Sequence, residues 1–286
     1  MRVAEGRGAD TDLAALRGLL DAAAGDLPAA ARIANDPVRF PRRYTVAEDV
    51  EIAAVIAAMY AFGRADLFGP VVGRILDLTD AHGGPAAFTR GFDADQARLL
   101  AGVRYRWNTP EDAMQLFTML QGVLARHGSV GALVPGGVPA AESLGALITA
   151  LRHLAPRDAP RSFRTWLSHP AEGSACKRWL MLFRWMSRHD DVDLGTWTHV
   201  RPRDLVIPLD THVGRIARLL GLTRRPTADW RAAEEVTAVL RVLDPADPVR
   251  WDFALAHLGI SSGCRGRHDD ATCPSCPIRT GCAAAR

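Results

Sequence analysis

Lysine is almost missing from this chain. Of its 35 basic residues, 34 are arginines and one, Lys177, is a lysine. Such a skew follows from codon usage, so the arginines say little individually. The lysine says more: arginine replaces lysine wherever only charge is needed, but its guanidinium keeps its proton and cannot serve as an amine nucleophile. Lys177 is therefore either an incidental surface residue or a candidate for chemistry. Other things are absent too. No run reaches the ~18 uninterrupted apolar residues of a membrane span. The first residues, Met1-Arg2-Val3-Ala4-Glu5-Gly6-Arg7, hold no apolar core of a secretory signal. These absences predict a soluble, cytoplasmic protein. No segment alternates apolar and polar residues with β-branched enrichment, so strands should be few or absent. A net charge of +3 is too small to establish a polyanionic partner by itself.

What is there reads as helix almost throughout, in an ordinary globular composition of 48% hydrophobic and 23% charged residues. Apolar residues recur at helical spacing over Asp12–Ala24, Ala47–Phe62, Asp66–His82, Glu111–Arg126, Ala140–Leu154, Ser174–Arg188, Thr211–Leu220, Ala228–Leu243 and Val249–Ser262. Gly63, Gly83-Gly84, Gly128, Pro156 and Gly221 supply the stops. The expected fold class is all-α.

Cysteine is scarce but concentrated. Four of five, Cys264, Cys273, Cys276 and Cys282, fall in the last 23 residues with C-x8-C-x2-C-x5-C spacing. In a cytoplasmic chain this density fits metal or cluster ligation better than a disulfide frame. Zinc sites usually use two close pairs, and only one is present. One tight pair with two outlying thiols suits a [4Fe–4S] cluster better, with zinc as the less favoured metal. The remaining Cys176 is expected to be a small buried side chain.

Ser174 is the expected N-cap of a helix running to Arg188. On that helix Trp179, Leu182, Phe183 and Met186 form one stripe, and Lys177, Met181, Arg184 and Arg188 fall opposite. This places Lys177 toward solvent or a cleft, in line with two arginines. Downstream, Ile207-Pro208-Leu209 leads into Asp210 at the start of another helix. An isolated aspartate there is most simply an N-cap, although a helix N-terminus also binds phosphate.

The lysine helix, the string Ile207-Pro208-Leu209-Asp210-Thr211-His212 and the terminal cysteines resemble the endonuclease III superfamily of helix-hairpin-helix DNA glycosylases. Asp36-Pro37, Tyr60-Ala61-Phe62-Gly63-Arg64, Tyr105-Arg106-Trp107 and Arg184-Trp185-Met186 point to a bacterial branch of conserved proteins within it. Two features depart from the pattern. His169-Pro170-Ala171-Glu172-Gly173-Ser174 stands where a Leu-Pro-Gly-Val-Gly hairpin is expected. The 33-residue separation of Lys177 and Asp210 is wider than in endonuclease III and similar to the archaeal 8-oxoguanine glycosylases. The extra length is His189 to Trp197, a loop that either contacts a base or braces two lobes.

The resemblance implies a two-lobed helix-hairpin-helix fold with a C-terminal iron–sulfur loop. One lobe would be residues 45–200, and the other residues 1–44 together with 201–286. It implies a base-excision glycosylase and AP lyase acting on a flipped nucleotide in damaged or abasic duplex DNA, as a monomer. Lys177 would attack the sugar and Asp210 would stabilise the developing charge. Gly173, Ser174, Arg184, Thr211, Arg215 and Arg218 would meet the DNA, and Trp107 would wedge into it or else pack in the core. Cys264, Cys273, Cys276 and Cys282 would hold the cluster. The alternatives are a non-catalytic DNA-binding module of the same fold and an iron–sulfur redox protein.

Overall fold

A computed structural model describes residues 12–25, 28–260 and 263–285. The first residues of the lobe expected to combine 1–44 with 201–286, and the last residues of the expected Val249–Ser262 helix, lie outside that range. Among the described residues there are thirteen α-helices and no strand, only isolated bridges. In chain order they are α1 (Leu13–Gly25), α2 (Ala29–Ile33), α3 (Ala47–Tyr60), α4 (Ala65–Asp80), α5 (Pro85–Arg90), α6 (Ala94–Leu99) and α7 (Pro110–His127). There follow α8 (Ala140–Leu154), α9 (Arg161–Arg164), α10 (Lys177–Ser187), α11 (Thr211–Leu219), α12 (Trp230–Leu243) and α13 (Asp252–Ile260). The all-α expectation holds. The helices missed in the sequence, α2, α5, α6 and α9, are one or two turns long, too short for a 3.6-residue period to repeat. Among the described residues no helix is long and apolar enough to cross a membrane.

The centre of the fold is α3. Apart from Glu51, its residues from Val50 to Tyr60 are apolar, and every one of them is buried. A helix apolar all round has no solvent face and must be surrounded. Helices α4, α5 and α10 pack on it, and α5 also meets α7. The exception, Glu51, is 5% exposed and fully bonded. Its carboxylate accepts the amides of Val130 and Gly131 and the indole N–H of Trp197, each at 2.7 Å. That indole ties the 189–197 loop to α3. The same loop accepts a hydrogen bond from Arg42 at the Val192 carbonyl. The loop therefore braces the core.

On the other side α13 packs against both α11 and α1. Buried apolar side chains from Leu16 to Ile278 form one continuous cluster, so the two expected lobes share a core. The chain before α10 runs through the single turn of α9, two 3-10 turns at Thr165–Leu167 and Pro170–Glu172, and a left-handed Gly173. Arg152 fastens this segment, donating to the Leu167 carbonyl and to both carboxylate oxygens of Glu172.

The lysine helix differs from its expected form in two ways. It begins at Lys177, and Ser174 does not cap it: the Ser174 hydroxyl accepts from the Cys176 amide, and Cys176 takes the N-cap position with left-handed φ 47 and ψ 31. Nor is it amphipathic. Every residue from Trp179 to Ser187 is buried. The polar side of the sequence pattern is real, but carboxylates from other parts of the chain cover it.

Candidate active site

The first turn of α10, the N-terminus of α11, the turn after α3 and the start of α13 surround a cleft of about 1080 Å³. Lys177 and Asp210 meet in its wall. Lys177 Nζ lies 3.5 Å from Asp210 Oδ2, with the two side chains 31% and 25% exposed. Asp210 is also the N-cap of α11: its Oδ1 accepts the amides of His212 at 2.8 Å and Val213 at 2.9 Å. The cap locks the carboxylate's position and leaves the second oxygen for the ammonium. Burial alone would raise the Asp210 carboxyl. Lys177 and the Val213 and His212 amides outweigh it and hold the carboxyl below the usual carboxylate range. Capping and cleft-facing are thus two oxygens of one side chain, where the sequence had posed them as alternatives.

Two turns along α10 the same chemistry is enclosed. Arg184 is 3% exposed. Its guanidinium donates to Asp193 Oδ1 at 3.2 Å and to Asp252 Oδ2. Arg188 pairs with Asp193, with Asp190 at 2.8 Å and with Asp247 at 2.8 Å. The expectation that Arg184 contacts DNA is therefore corrected, because two buried carboxylates already hold its charge. Asp252 sits at the back of the cleft. Burial pushes its carboxyl up to about 6 against the pull of Arg184, and its Oδ1 has no hydrogen-bond partner among the described residues. Nearby, Asp36 faces His257 Nε2 at 3.6 Å. Burial works against ionisation of Asp36, yet His257, Arg184 and the Val38 amide together leave its carboxyl lowered.

An aromatic rim borders the cleft. Phe62 and Trp107 stack with centroids 4.8 Å apart and planes 24° apart. Trp107 is 52% exposed, so the core-packing alternative for it does not hold. The rim is built deliberately: the Tyr105 hydroxyl donates to the Phe62 carbonyl, and Arg106 lies over the Trp107 ring at 4.8 Å. Among the described residues only Arg106 and Cys176 take positive φ without being glycine. One immediately precedes Trp107 and the other Lys177. Strained backbone conformations persist where surrounding structure enforces them, and they cluster at functional sites.

The remaining expected DNA contacts are less available than the sequence implied. The Gly173 amide donates to the Pro170 carbonyl at 2.9 Å, so it is not free for a phosphate. Arg215 donates to the Gly259 carbonyl and pairs with His212 Nδ1, its stem lying against Gly266. Arg218 donates to the carbonyls of Arg225 and Pro226. Arg215 ties α11 to α13 and Arg218 ties it to the loop at Arg225 and Pro226, so the expectation that both meet DNA is corrected: their donors are already engaged within the fold. Ser174 is half-buried and Thr211 exposed at the cleft. Cys176 is buried as expected. Its thiol is pushed up to about 11 by burial and donates to the Ser168 carbonyl.

The four C-terminal cysteines line one small cavity together with Ile216 of α11 and Leu258 of α13. Burial raises the Cys276 thiol, and Cys282, Cys264 and Cys273 are near enough to raise it further. The Asp269 amide donates to Cys273 Sγ at 3.4 Å, the kind of contact that steadies a thiolate ligand. Among the described residues, no three His, Cys, Asp or Glu side chains gather closely enough to hold a single metal ion. An all-thiol set spread around one cavity suits the wider [4Fe–4S] group in its donor chemistry.

Residues 36–261 match the model of a family described as a protein of unknown function (DUF2400). The chain belongs to that family. The match spans the cleft-lining elements and ends just short of Cys264. Comparison with curated proteins finds no match, and comparison with solved structures finds none.

Sequence reasoning missed several residues of this site. Asp252 stands far from Lys177 in the chain, and so does Asp36, whose pattern with Pro37 carries no sign that it faces the cleft. Arg178 falls outside the Lys177–Arg184–Arg188 line of the α10 wheel, so the sequence pattern does not mark it. A signal was present in Arg178 all the same: it is a cation in the first turn of a helix, where the dipole disfavours one.

Proposed function

We propose that this protein is a DNA base-excision enzyme, a glycosylase with AP-lyase activity that works through Lys177. The observation that carries the reading is the pairing of the chain's one lysine with the N-cap carboxylate of Asp210 at 3.5 Å, both part-exposed in a large cleft. The resemblance to helix-hairpin-helix glycosylases supports it from the sequence.

The chemistry follows from the pair. Asp210 is held as a carboxylate, so it can take the proton that Lys177 must lose before it acts. The free amine attacks the sugar C1′. A bond from Nζ to C1′ forms as the bond to the base breaks, and the base leaves with a proton. Opening of the sugar ring gives a protonated imine between Nζ and C1′. Loss of a C2′ proton then expels the 3′ phosphate by β-elimination. Throughout, Asp210 stabilises the positive charge on the sugar. Extrusion of a nucleotide from the stack costs a few kcal/mol, and the Trp107–Phe62 rim offers a surface on which a base can stack. Cys264, Cys273, Cys276 and Cys282 would hold a [4Fe–4S] cluster, whose part is to fasten the C-terminal loop against α11 and α13.

Borohydride reduction of the imine on duplexes bearing an abasic site or 8-oxoguanine tests this directly. A covalent adduct that disappears in Lys177→Gln is the expected result. DNA binding without an adduct on any lesion would favour the non-catalytic module.

A further inference from the structure

The cleft contains a cation for which the reaction above has no use. Three arginines line it: Arg64, Arg178 and Arg184. Arg64 is paired with Asp66 at 2.5 Å, and Arg184 is enclosed by Asp193 and Asp252. Arg178 has no carboxylate or hydrogen-bond acceptor among the described residues. Its guanidinium carbon lies 4.7 Å from the Phe62 ring centroid. It is mostly buried, and burial alone lowers it to about 10, with no opposing partner. It is still charged at neutral pH, so this wall of the cleft carries a positive charge that nothing in the described chain offsets.

Leaving a charge half out of water without a partner is costly. The Phe62 contact offsets only a small part of that cost. The fold nevertheless fixes the arrangement firmly. Phe62 is clamped between Tyr105 and Trp107, and its carbonyl is held by the Tyr105 hydroxyl. A guanidinium laid on a fixed ring keeps its planar fork of donors in one orientation, ready for two oxygens at once. A neutral base edge would satisfy hydrogen bonds but leave the charge. An oxyanion does both.

We propose that Arg178 on its Phe62 platform is an oxyanion subsite, and that its ligand is the phosphodiester adjoining the nucleotide held by Lys177. The proposal rests on the reading of the cleft as a DNA-repair site. The adjacency is built into the start of α10: Lys177 and Arg178 are its first two residues, and both line the cleft. Sugar and phosphate are neighbours in the same way along a strand. The subsite would set the register of the strand, bringing C1′ to Nζ, and it makes Arg178 a binding residue.

The test uses the full-length protein and a duplex carrying a tetrahydrofuran abasic analogue. Each phosphate flanking the analogue is replaced in turn by a neutral methylphosphonate. Wild type should lose about tenfold or more in affinity at one of the two positions. Arg178→Gln should bind the unmodified duplex more weakly by a similar factor and be indifferent to that replacement. Its log–log salt dependence should be shallower by about one unit. Arg178→Lys keeps the charge and should retain the salt slope, which separates loss of the subsite from loss of folding. An Arg178→Gln protein as sensitive to the methylphosphonate as wild type overturns the proposal, even where the Lys177 adduct forms normally. If wild type neither binds duplexes nor forms an adduct, inorganic pyrophosphate followed by calorimetry decides. Binding lost in Arg178→Gln keeps the oxyanion subsite and removes the DNA reading, whereas no binding to wild type removes both.

Discussion

Helix α10 carries two ion-pair systems of the same chemistry in opposite circumstances. At its first residue, Lys177 faces Asp210 across the cleft, part-solvated and without a further ion-pair partner among the described residues. Seven residues on, Arg184, and just past the end of the helix Arg188, are enclosed with Asp193, Asp252 and Asp247. An enclosed pair cannot exchange its partner without leaving a bare charge in the core, which makes it a fixture. A pair at a cleft can break when a substrate arrives, because water or the substrate takes over either side. Position along one helix therefore separates a structural cation from a reactive one. The choice of residue agrees: arginine, which cannot lose its proton, fills the enclosed places, and the one lysine fills the open place.

The comparison predicts different failures at the two ends. The largest effect is expected for Arg184→Leu, which leaves Asp193 and Asp252 buried without their shared cation. Removing one partner of a buried pair costs about 3–5 kcal/mol. Urea denaturation should show that loss, and a change below about 1 kcal/mol would mean the network is not as closed as its geometry indicates.

Asp210→Asn comes next and acts on rate. Asparagine caps a helix about as well as aspartate, so α11 should stay intact. The amine loses its carboxylate, and adduct formation should slow by roughly 10²-fold or more. If single-turnover trapping proceeds at the wild-type rate while the melting temperature is unchanged, Asp210 is a cap and nothing more.

The two carboxyls flanking Lys177 should also respond to pH with opposite signs. Asp252 is raised to about 6 in the folded protein, above the ~3.9 of an unfolded aspartate. Between those values the folded chain keeps a proton that the unfolded chain has lost, so stability should fall as pH rises, by up to about 1.4 kcal/mol per pH unit. Asp210 is lowered, so its contribution is present above pH ~4 and is lost as pH falls through its folded value. Denaturation curves at several pH values should show the first slope flattened in Asp252→Asn. An unchanged slope would assign it to another group.

Much of the fold was legible because the longer helices carry their own period, and Ala140–Leu154 matches the expected bounds at both ends. The pairing of Lys177 with Asp210 was legible through rarity and position. Arg184 was not. Its partners sit nine and 68 residues away, and a helical wheel cannot distinguish water from a distant carboxylate. The same blindness applies to Arg215 and Arg218, whose acceptors are backbone carbonyls of α13 and of the loop after α11, which a helical wheel does not show. Trp107 shows the converse case: large aromatics are usually buried, and only the stack on Phe62, set by the turn at Arg106, explains why this one stands out in the cleft.

The smallest expected stability effect belongs to Lys177→Gln, and it sharpens the comparison most. The side chain is 31% exposed, and its partner is held independently by the His212 and Val213 amides. Losing the ammonium leaves Asp210 capped and in contact with the water of the cleft, so the change should stay within about 1 kcal/mol. The borohydride adduct, by contrast, should vanish, because glutamine cannot form an imine. A protein that melts like wild type and forms no adduct would set Lys177 apart from Arg184 as a residue kept for chemistry. A loss of stability comparable to that of Arg184→Leu would instead make the cleft pair one more brace of the fold, and the case for a reactive lysine would fall with it.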